Sequence, residues 1–103
     1  MQVSNSTGRN TDYRVNASGG AGGSNVCFTA GDSSTATMVG GLLNPGATEL
    51  CLSSWPCTVE FIVDGKVISQ TFTEDPGLVA LVETNGQYAI VITPNTDDGS
   101  ASA

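Results

Sequence analysis

Two dipeptides do most to constrain the fold of this chain: Asp64-Gly65 and Asn85-Gly86, each set between two runs of alternating side chains. A two-residue type I′ turn needs positive φ at both central positions, which Asp-Gly and Asn-Gly supply, and its twist matches that of the strands it joins. Residues 57–63 and 66–72 are therefore expected to form one β-hairpin, and residues 78–84 and 87–93 a second. The loop length also sets register. Val63 should face Lys66, Phe61 Ile68, Val59 Gln70 and Cys57 Phe72 on the core side, with Gln70 the exception there. In the second hairpin Glu83 should face Tyr88, Leu81 Ile90 and Val79 Ile92, while Leu78, Ala80, Val82, Ala89 and Val91 occupy the other face. Both faces of this ribbon are apolar. It is expected either to lie centrally, covered on both sides, or to offer that second face as an assembly surface to another subunit.

Upstream, no segment places apolar residues at helical spacing. Residues 12–17 alternate with Tyr13, Val15 and Ala17 on one side, residues 25–29 form a short run around Cys27 and Phe28, and residues 35–39 and 48–52 read as two more strands. Asn44-Pro45-Gly46 is a turn in which proline presets φ and glycine accepts the positive value after it, and Glu74-Asp75-Pro76-Gly77 is another. The pattern is all-β: an antiparallel β-sandwich of about seven or eight short strands, immunoglobulin-like in size, although the spacing of Cys, Trp and Cys in true immunoglobulin domains is missing. The expected organisation is a flexible segment over 1–11, one domain over 12–94 and a disordered acidic tail over 95–103 around Asp97-Asp98.

Composition then removes function classes. With 39% hydrophobic residues in 103 and no apolar run near the roughly 18 to 20 that a spanning helix needs, one soluble domain without membrane insertion is expected. Three Lys+Arg against ten Asp+Glu, a net charge of −7, make nucleic acid an improbable partner, because phosphate backbones are held by clustered cations. The chain has no histidine, and so lacks the usual general base near neutral pH, the orienting member of Ser and Cys triads and the commonest zinc ligand. Gly31-Asp32-Ser33 matches a GDS esterase string, but no histidine base is present to activate it. The Gly19–Gly23 run has neither dinucleotide nor P-loop spacing and reads as a flexible loop. No enzyme, metal or cofactor is expected. Residues 1–11 contain no apolar signal-peptide core, which leaves a cytoplasmic protein or a chain starting after processing; the sequons at Asn5 and Asn16 do not decide between them.

The cysteines and the lone tryptophan supply the candidate site. Cys51 and Cys57 bracket Leu52, Ser53, Ser54, Trp55 and Pro56, and a Cys51–Cys57 disulfide would hold Trp55-Pro56 at a fixed place and imply an extracytoplasmic origin. Three buried thiols acting as small apolar side chains are the reading placed ahead of that bridge, and a three-cysteine metal site comes last. Trp55 could anchor a partner as a rigid exposed aromatic, or fold back as a cap over one open end of the sandwich. The acidic residues lack an EF-hand arrangement, and Glu60 with Glu83 would serve a glycosidase only if the strands brought them together. By elimination, a non-enzymatic binding module of adhesion or inhibitor type is expected, contacting a protein partner through the 52–56 loop. A structural protein that self-associates through the 78–93 hairpin is the alternative, and a calcium-dependent carbohydrate-binding module a weaker one.

Overall fold

The structure, a computed structural model, describes residues 1–17, 25–29 and 40–94. Nine strands occur among them: β1 (Gln2–Asn5), β2 (Thr11–Ala17), β3 (Asn25–Thr29), β4 (Gly40–Leu43), β5 (Thr48–Ser53), β6 (Cys57–Val63), β7 (Lys66–Phe72), β8 (Leu78–Thr84) and β9 (Gln87–Thr93). They form a five-stranded sheet in the order β3-β5-β1-β8-β9 and a four-stranded sheet in the order β4-β2-β6-β7. All neighbours are antiparallel except β1 and β8. The small all-β sandwich expected from the sequence is thus present. Its strand order is not that of an immunoglobulin domain, since β1 lies between β5 and β8 rather than beside β2.

Both hairpins adopt the expected register, from Val63 opposite Lys66 to Cys57 opposite Phe72, and from Thr84 opposite Gln87 to Leu78 opposite Thr93. The turn residues have the positive φ that the type I′ geometry requires, at Asp64 (54°), Gly65 (73°), Asn85 (53°) and Gly86 (78°). Alternation then decides what is buried. Cys57, Val59, Phe61 and Val63 of β6 point into the space between the sheets and are almost wholly shielded, as are Val79 and Leu81 of β8. Gln70 sits on the core side of β7 yet is exposed, because β7 is the edge of its sheet and the core stops short of it.

Three expectations need correction or fall outside the described residues. The 1–11 segment is not a flexible lead-in: β1 is the central strand of the five-stranded sheet, and Val3 is fully buried. Its inward positions are mostly polar, with Asn5, Thr7 and Thr11 buried among hydrogen bonds, which removed the apolar alternation a strand usually displays. The β8–β9 ribbon is not central and covered on both faces, because β9 is an edge strand. The expected strand at 35–39, the Gly19–Gly23 run and the 95–103 tail lie outside the described residues, and β4 begins at Gly40. There the chains pass so closely that a Cβ on Gly40 would stand 2.5 Å from the Tyr13 carbonyl oxygen, which accounts for the glycine.

Candidate functional site

The 52–56 segment carries the chain from one sheet to the other, since β5 ends at Ser53 in the five-stranded sheet and β6 starts at Cys57 in the four-stranded one. Both ends of the crossing are fixed. Cys51 is fully buried and disulfide-bonded to Cys27, which faces it directly on β3 with 4.1 Å between the Cα atoms. On its other side the Cys51 amide donates to the Met1 carbonyl (2.8 Å) and the Met1 nitrogen donates to the Cys51 carbonyl (3.2 Å). Cys57 is fully buried between Ala17 of β2 and Phe72 of β7.

This pairing corrects both the three free thiols and the candidate Cys51–Cys57 bridge: Cys57 alone is a free thiol, on the opposite sheet, and Cys27 is the partner of Cys51. Proximity in sequence suggested the short bridge, whereas the antiparallel register of β3 and β5 brings together two residues 24 apart. Burial pushes the Cys57 thiol above its ordinary pKa, partly offset by a side-chain hydrogen bond with Ser53 and by the positive Met1 nitrogen. The Cys57 thiol is therefore a protonated core side chain rather than a nucleophile.

Between these anchors the side chains diverge. Leu52 is 60% exposed on the outer face of the five-stranded sheet, and Pro56 is exposed as well. Ser53 and Ser54 are half-buried, with the Ser53 hydroxyl donating to the Ser54 carbonyl at 2.9 Å. Trp55, joined to Pro56 by a cis peptide bond, is partly buried and packs against the core. That packing against the core is what the cap reading of Trp55 expects.

Register places the loop relative to the charges. Leu50, Gln2, Leu78 and Thr93 form one row across the five-stranded sheet, and the chain beyond Leu50 leads to Trp55. The 73–77 connection, with Glu74 and Asp75 exposed, closes the same end. Both type I′ turns lie at the opposite end. The candidate site is thus the set Leu52, Trp55 and Pro56, carried at the same end of the molecule as Glu74 and Asp75. In comparisons with protein-family models, curated proteins and solved structures, nothing matches the chain.

The other candidate groups are distributed differently. Of the assembly-face residues, Ala80 is buried, Leu78 and Val82 are half-buried, and Ala89 and Val91 are exposed. Glu60 and Glu83 are on different sheets, each beside its own arginine: Arg14 to Glu60 at 3.6 Å and Arg9 to Glu83 at 3.4 Å. They do not form the neighbouring-strand pair that a glycosidase reading needs. Asp75 accepts from the Gly77 amide (2.9 Å) and lies 3.4 Å from the Met1 nitrogen, whereas Asp32, Asp97 and Asp98 are outside the described residues. Cys27 and the Met1 backbone are the parts of the site that sequence reasoning missed. No local signal marks either, because both reach Cys51 through long-range strand pairing.

Proposed function

We propose that this protein is a non-enzymatic binding module whose contact surface is the β5–β6 crossing, with Leu52, Trp55 and Pro56 as apolar anchors flanking Ser53 and Ser54. The observation that carries this reading is the contrast between the loop and its ends: an open Leu52 and a partly buried Trp55 are held between Cys51 and Cys57, both at zero exposure. Loops held at both ends on a rigid scaffold bind with little ordering cost, and aromatic anchors contribute disproportionately at protein interfaces. With Glu74 and Asp75 at the same end, the partner that fits is a protein surface or peptide that joins apolar side chains to Lys or Arg.

The test is selection of peptides from a displayed random library on the folded protein, followed by binding to Leu52→Asp and Trp55→Ala. Leu52 is exposed, so Leu52→Asp should leave the melting temperature within a few degrees of wild type. The reading expects ligands rich in aromatic or aliphatic residues and Lys or Arg, with affinity lost in both variants and Trp55 emission shifted on binding. Ligands that bind both variants as they bind wild type refute it.

A further inference from the structure

We infer that β9 is a homotypic pairing edge: two copies of the chain join antiparallel along Gln87–Thr93, about a two-fold axis at Ile90, to make one continuous ten-stranded sheet. This surface is separate from the β5–β6 loop and does not depend on that reading.

Four strands stand at sheet edges, and three are poorly suited to accept another strand. β4 has four residues including Gly40 and Gly41, β7 begins with Lys66 and turns mostly polar side chains outward, and β3 has five residues. β9 has seven, with the sequence Gln-Tyr-Ala-Ile-Val-Ile-Thr, and contains no charge, glycine or proline. Among the described residues it pairs only with β8. Edges left long, flat and uncharged are those that accept further strands, and natural sheets ordinarily block them with Lys, Pro or bulges.

The strand is also complementary to itself. Antiparallel pairing centred on Ile90 sets Gln87 against Thr93, Tyr88 against Ile92, Ala89 against Val91 and Ile90 against its own copy. On the core side, Tyr88, Ile90 and Ile92 are only partly buried on their own core, and the second copy would cover what they leave open. On the outer side, Val91 is 46% exposed and would meet Ala89 of the second copy. Such directly opposed pairs are the unit of sheet stabilisation.

Charge selects the antiparallel arrangement and a second copy as the occupant. Lys66 lies 5.7 Å from the centre of the Tyr88 ring, and Arg9 is 3.4 Å from Glu83, the residue opposite Tyr88. Lys66 and Arg9 thus stand at the turn end of β9 together with Glu83 and Asp64, and the charges at that end balance. Glu74 and Asp75 stand at the Thr93 end, where the Met1 nitrogen, 3.4 Å from Asp75, is the one facing positive group among the described residues. Antiparallel pairing sets the charge-balanced end of each copy beside the acidic end of the other, whereas parallel pairing would set acid against acid. For a chain of charge −7, an uncharged strand is also the surface across which a copy can approach with least repulsion.

Sedimentation velocity over a wide concentration range, with amide hydrogen exchange at low and high concentration, tests the inference. A dimer is expected in which amides within Gln87–Thr93 gain protection as concentration rises. Val91→Lys lowers the net charge to −6, which would favour association through bulk charge, yet it places two cations diagonally across the proposed pair. It should weaken the dimer about tenfold or more while leaving the thermal midpoint of the dilute monomer unchanged. Val91→Asp should do the same, and Lys66→Glu should weaken the dimer most at low salt. A monomer at the highest concentration overturns the inference. So does a dimer that survives both Val91 variants with β9 amides unprotected.

Discussion

Asn5 offers the sharpest test of how β1 is held at the centre of its sheet. Its side chain is fully buried and makes four hydrogen bonds. Nδ2 donates to the carbonyls of Arg9 (2.7 Å) and Leu43 (2.9 Å), and Oδ1 accepts from the Thr7 amide (2.9 Å) and the Thr7 hydroxyl (2.7 Å). One amide thus ties β1 to the 6–10 connection and to β4 on the opposite sheet. In Asn5→Ala the Thr7 amide and the Leu43 carbonyl lose these buried partners, and each such loss costs about 1–3 kcal/mol. A total of about 3 kcal/mol is expected, a large share of the roughly 5–15 kcal/mol that stabilises a domain of this kind. In a chain of about 100 residues that lowers the melting temperature by about 12–24 °C. Asn5→Asp keeps the shape but turns an oxygen toward two carbonyl oxygens, so the folded state favours the protonated acid and raises its pKa above the unfolded value of about 3.9. Between those two values the folded state binds more protons than the unfolded one, and stability must fall as pH rises through the window. Urea unfolding at pH 3.5 and 7, read as midpoints at constant slope, measures both effects. An Asn5→Ala variant within about 1 kcal/mol of wild type, or an Asn5→Asp variant indifferent to pH, would refute the keystone role.

Other expectations follow from the cysteines and from Tyr13. Thiol titration should find no reactive group in the native protein, one after denaturation and three after denaturation with reduction, as one buried free thiol and one disulfide require; two free thiols, or an alkylated Cys27, would contradict the pairing. Cys51→Ser opens a link between residues 24 apart and should cost about 3–4 kcal/mol by loss of chain constraint, with Trp55 emission moving to the red as the loop loses its anchor. Tyr13 is buried in the core between the sheets, and burial, with Glu49 second, pushes its hydroxyl up to about 12. The neutral form is the folded one, so this contribution to stability is intact below about pH 10 and is lost as pH climbs toward 12. Tyr13→Phe should flatten that part of the unfolding profile, and an unchanged profile would rule Tyr13 out as its source.

The hairpins were legible in the sequence because each is closed by a turn whose chemistry sets its own register, so Asp64-Gly65 and Asn85-Gly86 determined fourteen facing pairs without reference to the rest of the chain. Information of that kind is local. β1 was missed because burial there is achieved by polar satisfaction: one valine and an asparagine with every bond made look, in sequence, like a lead-in. The disulfide was misassigned for a related reason. Cys51 and Cys57 are close along the chain but are carried to opposite sheets by the crossing between them, while Cys27 arrives through the pairing of β3 with β5. The edge position of β9 was equally hidden, since a ribbon with two apolar faces reads the same whether a neighbour strand covers it or a second molecule does. At the candidate site the sequence singled out the 52–56 loop, but how far Trp55 is buried depends on an end of the sandwich assembled from 51–57 and 73–77 together.

The two proposed surfaces have a joint geometric consequence. The β5–β6 loop lies at the Thr93 end of β9 and the type I′ turns at the Gln87 end, so antiparallel pairing about Ile90 sets the loop of one copy at the same end of the joined sheet as the turns of the other. The two Trp55 loops would then point in opposite directions from the ends of a single sheet. Such a dimer cannot grip one small ligand with both loops, but it can link two partners, and its apparent affinity for a surface that carries many copies of the ligand would gain little from the second loop. A loop-binding module that dimerised through its outer sheet face instead could present both loops toward the same side and gain strongly. Comparing the binding of wild type and Val91→Lys to a surface densely coated with the selected peptide separates the two arrangements. Pairing along β9 predicts nearly equal retention for dimer and monomer, and a large loss in the variant would place the contact on the sheet face.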